Sequence, residues 1–170
     1  MSKSKRIALC GVLTALALAL SLAERMIPLE LLIPVPGIKL GLANVVTMFA
    51  LLFLTPREAF AILFCRVTLA ALFAGSVTSF AFSLLGGLCA LTTTWILLHR
   101  HESWFSLYGI SAASAAMHNV GQIIAGIVIM QSVNVIAYLP LLLIAAIPMG
   151  FLTGGILAVL EKHMAQMRLE

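Results

Sequence analysis

The chain has 170 residues, of which 62% are hydrophobic and only 9% are charged. A soluble domain carries about 25% charged residues, so this composition excludes a soluble domain and indicates a polytopic membrane protein. The net charge of +4 comes from basic residues at the ends of apolar runs, a pattern of membrane topology and not of nucleic-acid binding. We predict one transmembrane domain over residues 1–170.

An apolar run over 7–23 follows three basic residues, Lys3, Lys5 and Arg6. A signal peptide is an alternative, because it too begins with a basic region, but the run is long for one. Small residues recur every four positions and share one helix face, which lets another helix approach closely. This small-residue ladder consists of Gly11, Ala15, Ala19 and Ala23. We therefore predict a first transmembrane helix whose ladder packs either inside this protein or on a partner.

The segment 26–37 contains three prolines and is predicted to form a loop that lies on the membrane surface or folds over a cavity. The next segment, 36–44 (PGIKLGLAN), opens an apolar run and contains Lys39 and Asn44. A lysine is costly at the bilayer centre and much cheaper near its surface. We expect Lys39 near the surface and a second helix over 38–54, with this segment as the lip of a binding cavity.

The remaining pattern predicts four further helices over 56–74, 79–98, 104–130 and 135–160. Thr55, Pro56 and Glu58 form a capping-box start for the first of these, while Pro140 and Pro148 are expected to bend the last. The resulting fold is all-α with six transmembrane helices and both termini on one side. That side carries Lys3, Lys5, Arg6, Arg57, Arg100, Lys162 and Arg168. The positive-inside rule then makes the protein multi-pass in the cell membrane, with both termini cytoplasmic.

Arg66 lies nine positions after Arg57, so roughly 13 Å along its helix and near the middle of the bilayer. An arginine there keeps its charge and should face the interior of the bundle. Its partner is either an anionic ligand or a structural one, such as Glu24 or helix-end carbonyl groups.

His118, Asn119 and Gln122 form a second polar group, with His118 and Gln122 on one helix face. They either line a cavity or hydrogen-bond between helices. One histidine with amides is a poor ligand set, so we predict no metal site and no cofactor. With Lys39, Asn44, Arg66 and Glu24, this group predicts a binding site for a ligand that is partly anionic and partly apolar.

The segments PGIKLGLAN (36–44) and HNVGQ (118–122), together with six short helices and the small-residue ladder, resemble the Gx transporter family, whose members are described as heptaprenyl diphosphate synthase component I. The family in turn resembles the substrate-binding S-components of energy-coupling factor transporters. This resemblance implies an S-component-like bundle that binds a micronutrient near the outer face. It also implies docking through Gly11, Ala15, Ala19 and Ala23 on a coupling transmembrane protein that works with two ATPases.

The chain contains no aspartate, whereas prenyl diphosphate synthases use aspartate-rich motifs to hold magnesium and diphosphate. We therefore predict that it is not an enzyme and that it serves as the membrane-embedded substrate-binding component of a micronutrient importer, with a small molecule, membrane lipid and the partner ATPases as its partners. The alternative is a non-transporting membrane subunit linked to isoprenoid or quinone metabolism or to electron transfer.

Overall fold

A computed structural model describes residues 2–26, 39, 41–99 and 105–167, with side chains described as far as residue 164. Within these ranges the chain forms six α-helices and no strand, which confirms the all-α prediction. The helices are α1 Lys3–Glu24, α2 Asn44–Phe53, α3 Pro56–Ala74, α4 Val77–Leu98, α5 Leu107–Met130 and α6 Leu139–Met167, and a 3-10 helix at Val133–Tyr138 leads into α6. The predicted loop over 26–37 lies, apart from Met26, outside the described residues.

The start of α3 confirms the predicted capping box. Thr55 Oγ1 accepts a hydrogen bond of 3.4 Å from Glu58 N, and the Glu58 carboxylate accepts one of 2.9 Å from Thr55 N. Pro56 occupies the first turn, where its missing N–H breaks no helical bond. The Glu58 carboxylate also pairs with Arg6 Nη2 at 2.6 Å, so the cap of α3 is tied to the first turn of α1.

The second helix begins at Asn44 and not at 38 as expected. Gly41 has a φ of 86°, in the left-handed region, and a residue there cannot lie within a right-handed α-helix. The ten residues of α2 extend only about 15 Å, roughly half of a bilayer core. The last helix also starts later than predicted, at Leu139. This puts Pro140 in its first turn, so only Pro148 interrupts the helix interior.

Helices α4, α5 and α6 pack closely through glycines. A Cβ at Gly121 of α5 would lie 2.6 Å from the carbonyl oxygen of Leu85 in α4. Likewise, a Cβ at Gly150 or Gly154 of α6 would lie within 2.8 Å of a backbone atom of Ala112 or Tyr108 in α5. Gly150 and Gly154 therefore let α6 pack directly against the backbone of α5.

Among the described residues, four helical stretches are long and apolar enough to cross a membrane: Lys3–Glu24, Val77–Leu98, Leu107–Met130 and Val133–Met164. The short α2 falls below that length, and α3 contains three charged residues, Arg57, Glu58 and Arg66, among its 19. Length and composition thus support a multi-pass membrane protein, with four candidate spans in the described ranges where six were predicted.

Candidate functional site

Buried polar side chains gather where the end of α1 and the residues before α2 meet helices α3, α4 and α5. This polar cluster consists of Ser21, Glu24, Lys39, Asn44, Arg66, Ser83, His118 and Gln122. None of the eight is more than 9% exposed. Charged groups this deeply buried need hydrogen-bond partners, because burying an unpaired charge is very costly.

Lys39 is buried within the bundle, and its location near the membrane surface stays a prediction. Its Nζ donates a hydrogen bond of 2.7 Å to Ser83 Oγ in α4. Burial, together with the nearby Arg25 guanidinium, lowers the pKa of Lys39 from 10.5 to about 8. The ammonium group is therefore charged at neutral pH, and it loses its proton far more readily than a lysine in water.

Gln122 links the backbone of Lys39 to His118. With its amide oriented to satisfy all of its neighbours, Gln122 donates to Lys39 O at 3.1 Å and accepts from Lys39 N at 3.1 Å. The same amide oxygen accepts from His118 Nε2 at 3.2 Å. In the opposite orientation the amide nitrogen would face a donor and the oxygen an acceptor, so we adopt the first. Gln122, which was predicted to share a helix face with His118, thus binds the segment that precedes α2 through hydrogen bonds with the backbone of Lys39.

Arg66 faces the interior of the bundle, as predicted. Its Nη1 donates to Ser21 Oγ at 3.1 Å, and its Nη2 donates to Asn44 Oδ1 at 3.1 Å. Within the described part of the chain, Glu24 forms no ion pair with Arg66 within 4.0 Å. Arg66 Nε and Asn44 Nδ2 are buried without a hydrogen-bond partner in the same part of the chain. Both donors are therefore unsatisfied within the described residues.

Glu24, the last residue of α1, faces the residues before α2. Its carboxylate accepts a hydrogen bond from Gly41 N. The left-handed Gly41 has no room for a side chain, since a Cβ there would lie 2.9 Å from Asn44 Nδ2 and 3.1 Å from His118 Cδ2. A glycine is therefore required where α1, the start of α2 and α5 meet.

The structure brings together six of the seven predicted site residues, and Asn119 is the exception. Asn119 Nδ2 donates to Leu142 O at 2.7 Å, which places this side chain between α5 and α6. The sequence interpretation missed Ser21 and Ser83, whose hydroxyls bind the two cations of the cluster. Their only sequence signal is a polar residue inside an apolar run, which is common in transmembrane helices.

All four residues of the small-residue ladder are exposed. The opposite face of α1 is buried, with Leu13, Ala17, Ser21 and Glu24 turned inward. A Cβ at Gly11 would meet no atom within 4 Å. The ladder therefore lies on the outside of the described bundle, which favours the alternative that it packs on a partner.

No group of three or more histidine, cysteine, aspartate or glutamate residues that could hold a metal occurs in the described ranges.

The fold and the polar cluster together define a multi-pass helical membrane protein with a charged site buried among its helices. The sequence model of the family described as heptaprenyl diphosphate synthase component I matches residues 13–160. The chain belongs to this family, which confirms the resemblance identified from its sequence. No curated protein and no solved structure matches the chain.

Proposed function

We propose that the protein is the membrane-embedded substrate-binding component of an energy-coupling factor type importer. It binds a small ligand, partly anionic and partly apolar, from outside the cell and depends on partner ATPases. The observation that carries this proposal is the polar cluster, in which a buried lysine and a buried arginine lie among neutral hydrogen-bonding side chains.

The charge of the cluster favours an anionic group. Lys39 and Arg66 are cationic, and Glu24 is the single acid among its members. One positive charge is thus left over in a low-dielectric setting, where an anion restores neutrality. Arg66 Nε and Asn44 Nδ2 supply unpaired donors beside it. Leaving a buried donor unpaired costs about 1–3 kcal/mol, which a ligand acceptor recovers on binding.

The small-residue ladder supports docking on a coupling transmembrane protein. An exposed row of glycine and alanine lets the backbone of a second helix come close, and van der Waals contact then drives association in the membrane. We propose Gly11, Ala15, Ala19 and Ala23 as this contact, with two ATPases bound to the coupling protein. The basic residues near the N-terminus favour a cytoplasmic location of that end in the cell membrane.

The family description favours a second candidate. It names a component of a prenyl diphosphate synthase, which is compatible with a non-transporting membrane subunit linked to isoprenoid or quinone metabolism. In this alternative the chain presents an apolar ligand to a separate enzyme and does not catalyse a reaction itself.

Co-expression with a coupling protein and its two ATPases, followed by native mass spectrometry in mild detergent, tests the proposal. We expect a four-chain assembly, a retained small molecule, and ATP-dependent uptake of that molecule in proteoliposomes. A complex with a different enzyme, combined with no uptake, would support the second candidate and exclude the first.

A further inference from the structure

A second candidate binding site lies on the side of the bundle, away from the cations of the polar cluster. A cavity of about 300 Å³ opens between α1, α2 and α6. Its mouth is formed by partly exposed residues such as Leu16 and Ile156, and its floor by buried ones such as Leu13 and Val46. Every lining side chain except Thr153 is aliphatic or phenylalanine. We call this cavity the lateral groove.

One lining residue of the lateral groove, Thr153, is polar. Thr153 also lines a second, smaller cavity of about 10 Å³, together with Asn44, Ser111 and Ser114. That volume holds one small oxygen-containing group, such as a water or a hydroxyl. Thr153 therefore lines both the apolar groove and the small cavity, at the seam between α2 and α6.

The hydrogen bonds already made around the small cavity specify what it can accept. Thr153 Oγ1 donates to Met149 O at 2.9 Å, so its lone pairs remain free to accept. Asn44 is 6% exposed, and its Nδ2 has no partner among the described residues. A single hydroxyl can accept from Asn44 Nδ2 and donate to Thr153 Oγ1, and this would satisfy both groups.

The size of the lateral groove excludes a partner helix as its occupant. A helix about 10 Å across would place less than one 5.4 Å turn in 300 Å³. The volume is at the lower limit of pockets for small molecules, which favours one hydrocarbon chain over a two-chain lipid. The mouth opens on the outer surface of the bundle. In a membrane this surface is in contact with lipid, whose hydrocarbon chains could enter the groove.

We propose that the lateral groove binds the chain of a single-chain amphiphile, with a hydroxyl-sized head at Thr153 and Asn44. This site goes beyond the proposed function, because it does not use Lys39 or the Arg66 charge. Asn44 joins the two sites, since its Oδ1 accepts from Arg66 while its Nδ2 carries two N–H donors, one for the anion and one for the groove. Acyl and prenyl alcohols share the required chemistry.

The test uses the purified full-length protein in detergent and a 16-carbon alcohol that carries a photoreactive diazirine on its chain. We expect saturable labelling of α1, α2 and α6 that excess hexadecanol or geranylgeraniol suppresses. The stronger competitor identifies the acyl or the prenyl source. Leu16→Trp should reduce labelling at least tenfold by filling the mouth, whereas Val12→Trp, an exposed position of the same helix that does not line the groove, should not.

A second variant tests the head position. Thr153→Val removes the hydroxyl and keeps the shape, so competition by hexadecanol should weaken about three- to tenfold while competition by hexadecane stays unchanged. Uniform labelling of all exposed helices, or equal labelling of the Leu16→Trp and Val12→Trp variants, would overturn the inference. Neither outcome bears on uptake by the four-chain assembly, so the two proposals fail separately.

Discussion

Asn44 Oδ1 accepts a hydrogen bond of 3.1 Å from Arg66 Nη2, so the first residue of α2 binds a guanidinium that extends from the middle of α3. The other amide atom of Asn44, Nδ2, stays without a partner in the described chain. The contact therefore positions a cation and leaves a donor beside it, which is what a site for an acceptor group requires.

Arg66→Ala should strongly reduce ligand retention. A hydrogen bond to a charged group contributes about 1.5–3 kcal/mol, so the loss of one such bond weakens binding roughly 10- to 100-fold. The amount of small molecule that co-purifies, measured by native mass spectrometry, checks this. Arg57→Ala is the matched control, because Arg57 is exposed near the start of the same helix. Equal retention by the two variants would show that Arg66 is purely structural.

The stability of the protein should rise with pH because of Lys39. Its pKa is about 8 in the folded protein and 10.5 in the reference state, so the unfolded chain binds more protons between these values. Stability from this group therefore increases across that window, by up to about 3 kcal/mol. Chemical unfolding of wild type and Lys39→Met at pH 7.5 and pH 10 measures the difference. Identical pH profiles would contradict the assignment.

Protonation of Lys39 lowers the stability of the folded protein, but it should strengthen the binding of an anionic ligand. Since the ammonium form attracts the anion, affinity should fall as the pH rises through about 8 and not only near the usual lysine value. Lys39→Arg should shift that loss to higher pH, because arginine keeps its charge. Affinity that stays constant from pH 7 to pH 10 in the wild type would exclude a role for the charge of Lys39.

Gly41→Ala should destabilise the protein more than Gly75→Ala does. Both glycines have positive φ, 86° and 60°, and alanine in this conformation costs about 1–2 kcal/mol. The environments differ, since a Cβ at Gly75 meets nothing within 4 Å, whereas one at Gly41 crowds Asn44 and His118. Thermal unfolding of both variants separates backbone strain from crowding. Equal losses would mean that the cluster has room to adjust.

Ala15→Leu and Ala19→Leu should prevent association with the coupling protein and leave ligand retention unchanged. A leucine on the ladder keeps the facing helix at a distance. Ala61→Leu on α3 is the control, because this alanine is also exposed and lies outside the ladder. Pull-down of the coupling protein measures the effect. Normal association of both ladder variants would remove α1 from the docking surface.

Local signals predicted some elements well. The capping box at Thr55 and Glu58 specified the start of α3, because those contacts involve neighbours in sequence. The burial of Arg66 followed from its distance along one helix and the cost of a charge in the bilayer.

The sequence did not predict the polar partners of Lys39 or the start of α2. Lys39 is buried because Ser83 and Gln122, which are 44 and 83 positions away, supply its partners. Helical periodicity also cannot show that the backbone of Gly41 is in the left-handed region, because a glycine can occur both within a helix and before its first turn. Asn119 was grouped with its neighbour His118, although adjacent helical residues face about 100° apart.

The glycine contacts among α4, α5 and α6 have a mechanical consequence. Helices whose backbones are in direct contact leave no space between them for relative movement. We therefore expect α4, α5 and α6 to move as one rigid body. Helix α1 packs against α2 and α3, and hydrogen bonds such as that from Arg25 Nη2 to Ser79 Oγ connect its end to α4. A displacement of α1 would exchange these polar contacts and repack its buried Leu13 and Ala17 against α2 and α3, while α4, α5 and α6 stay packed together.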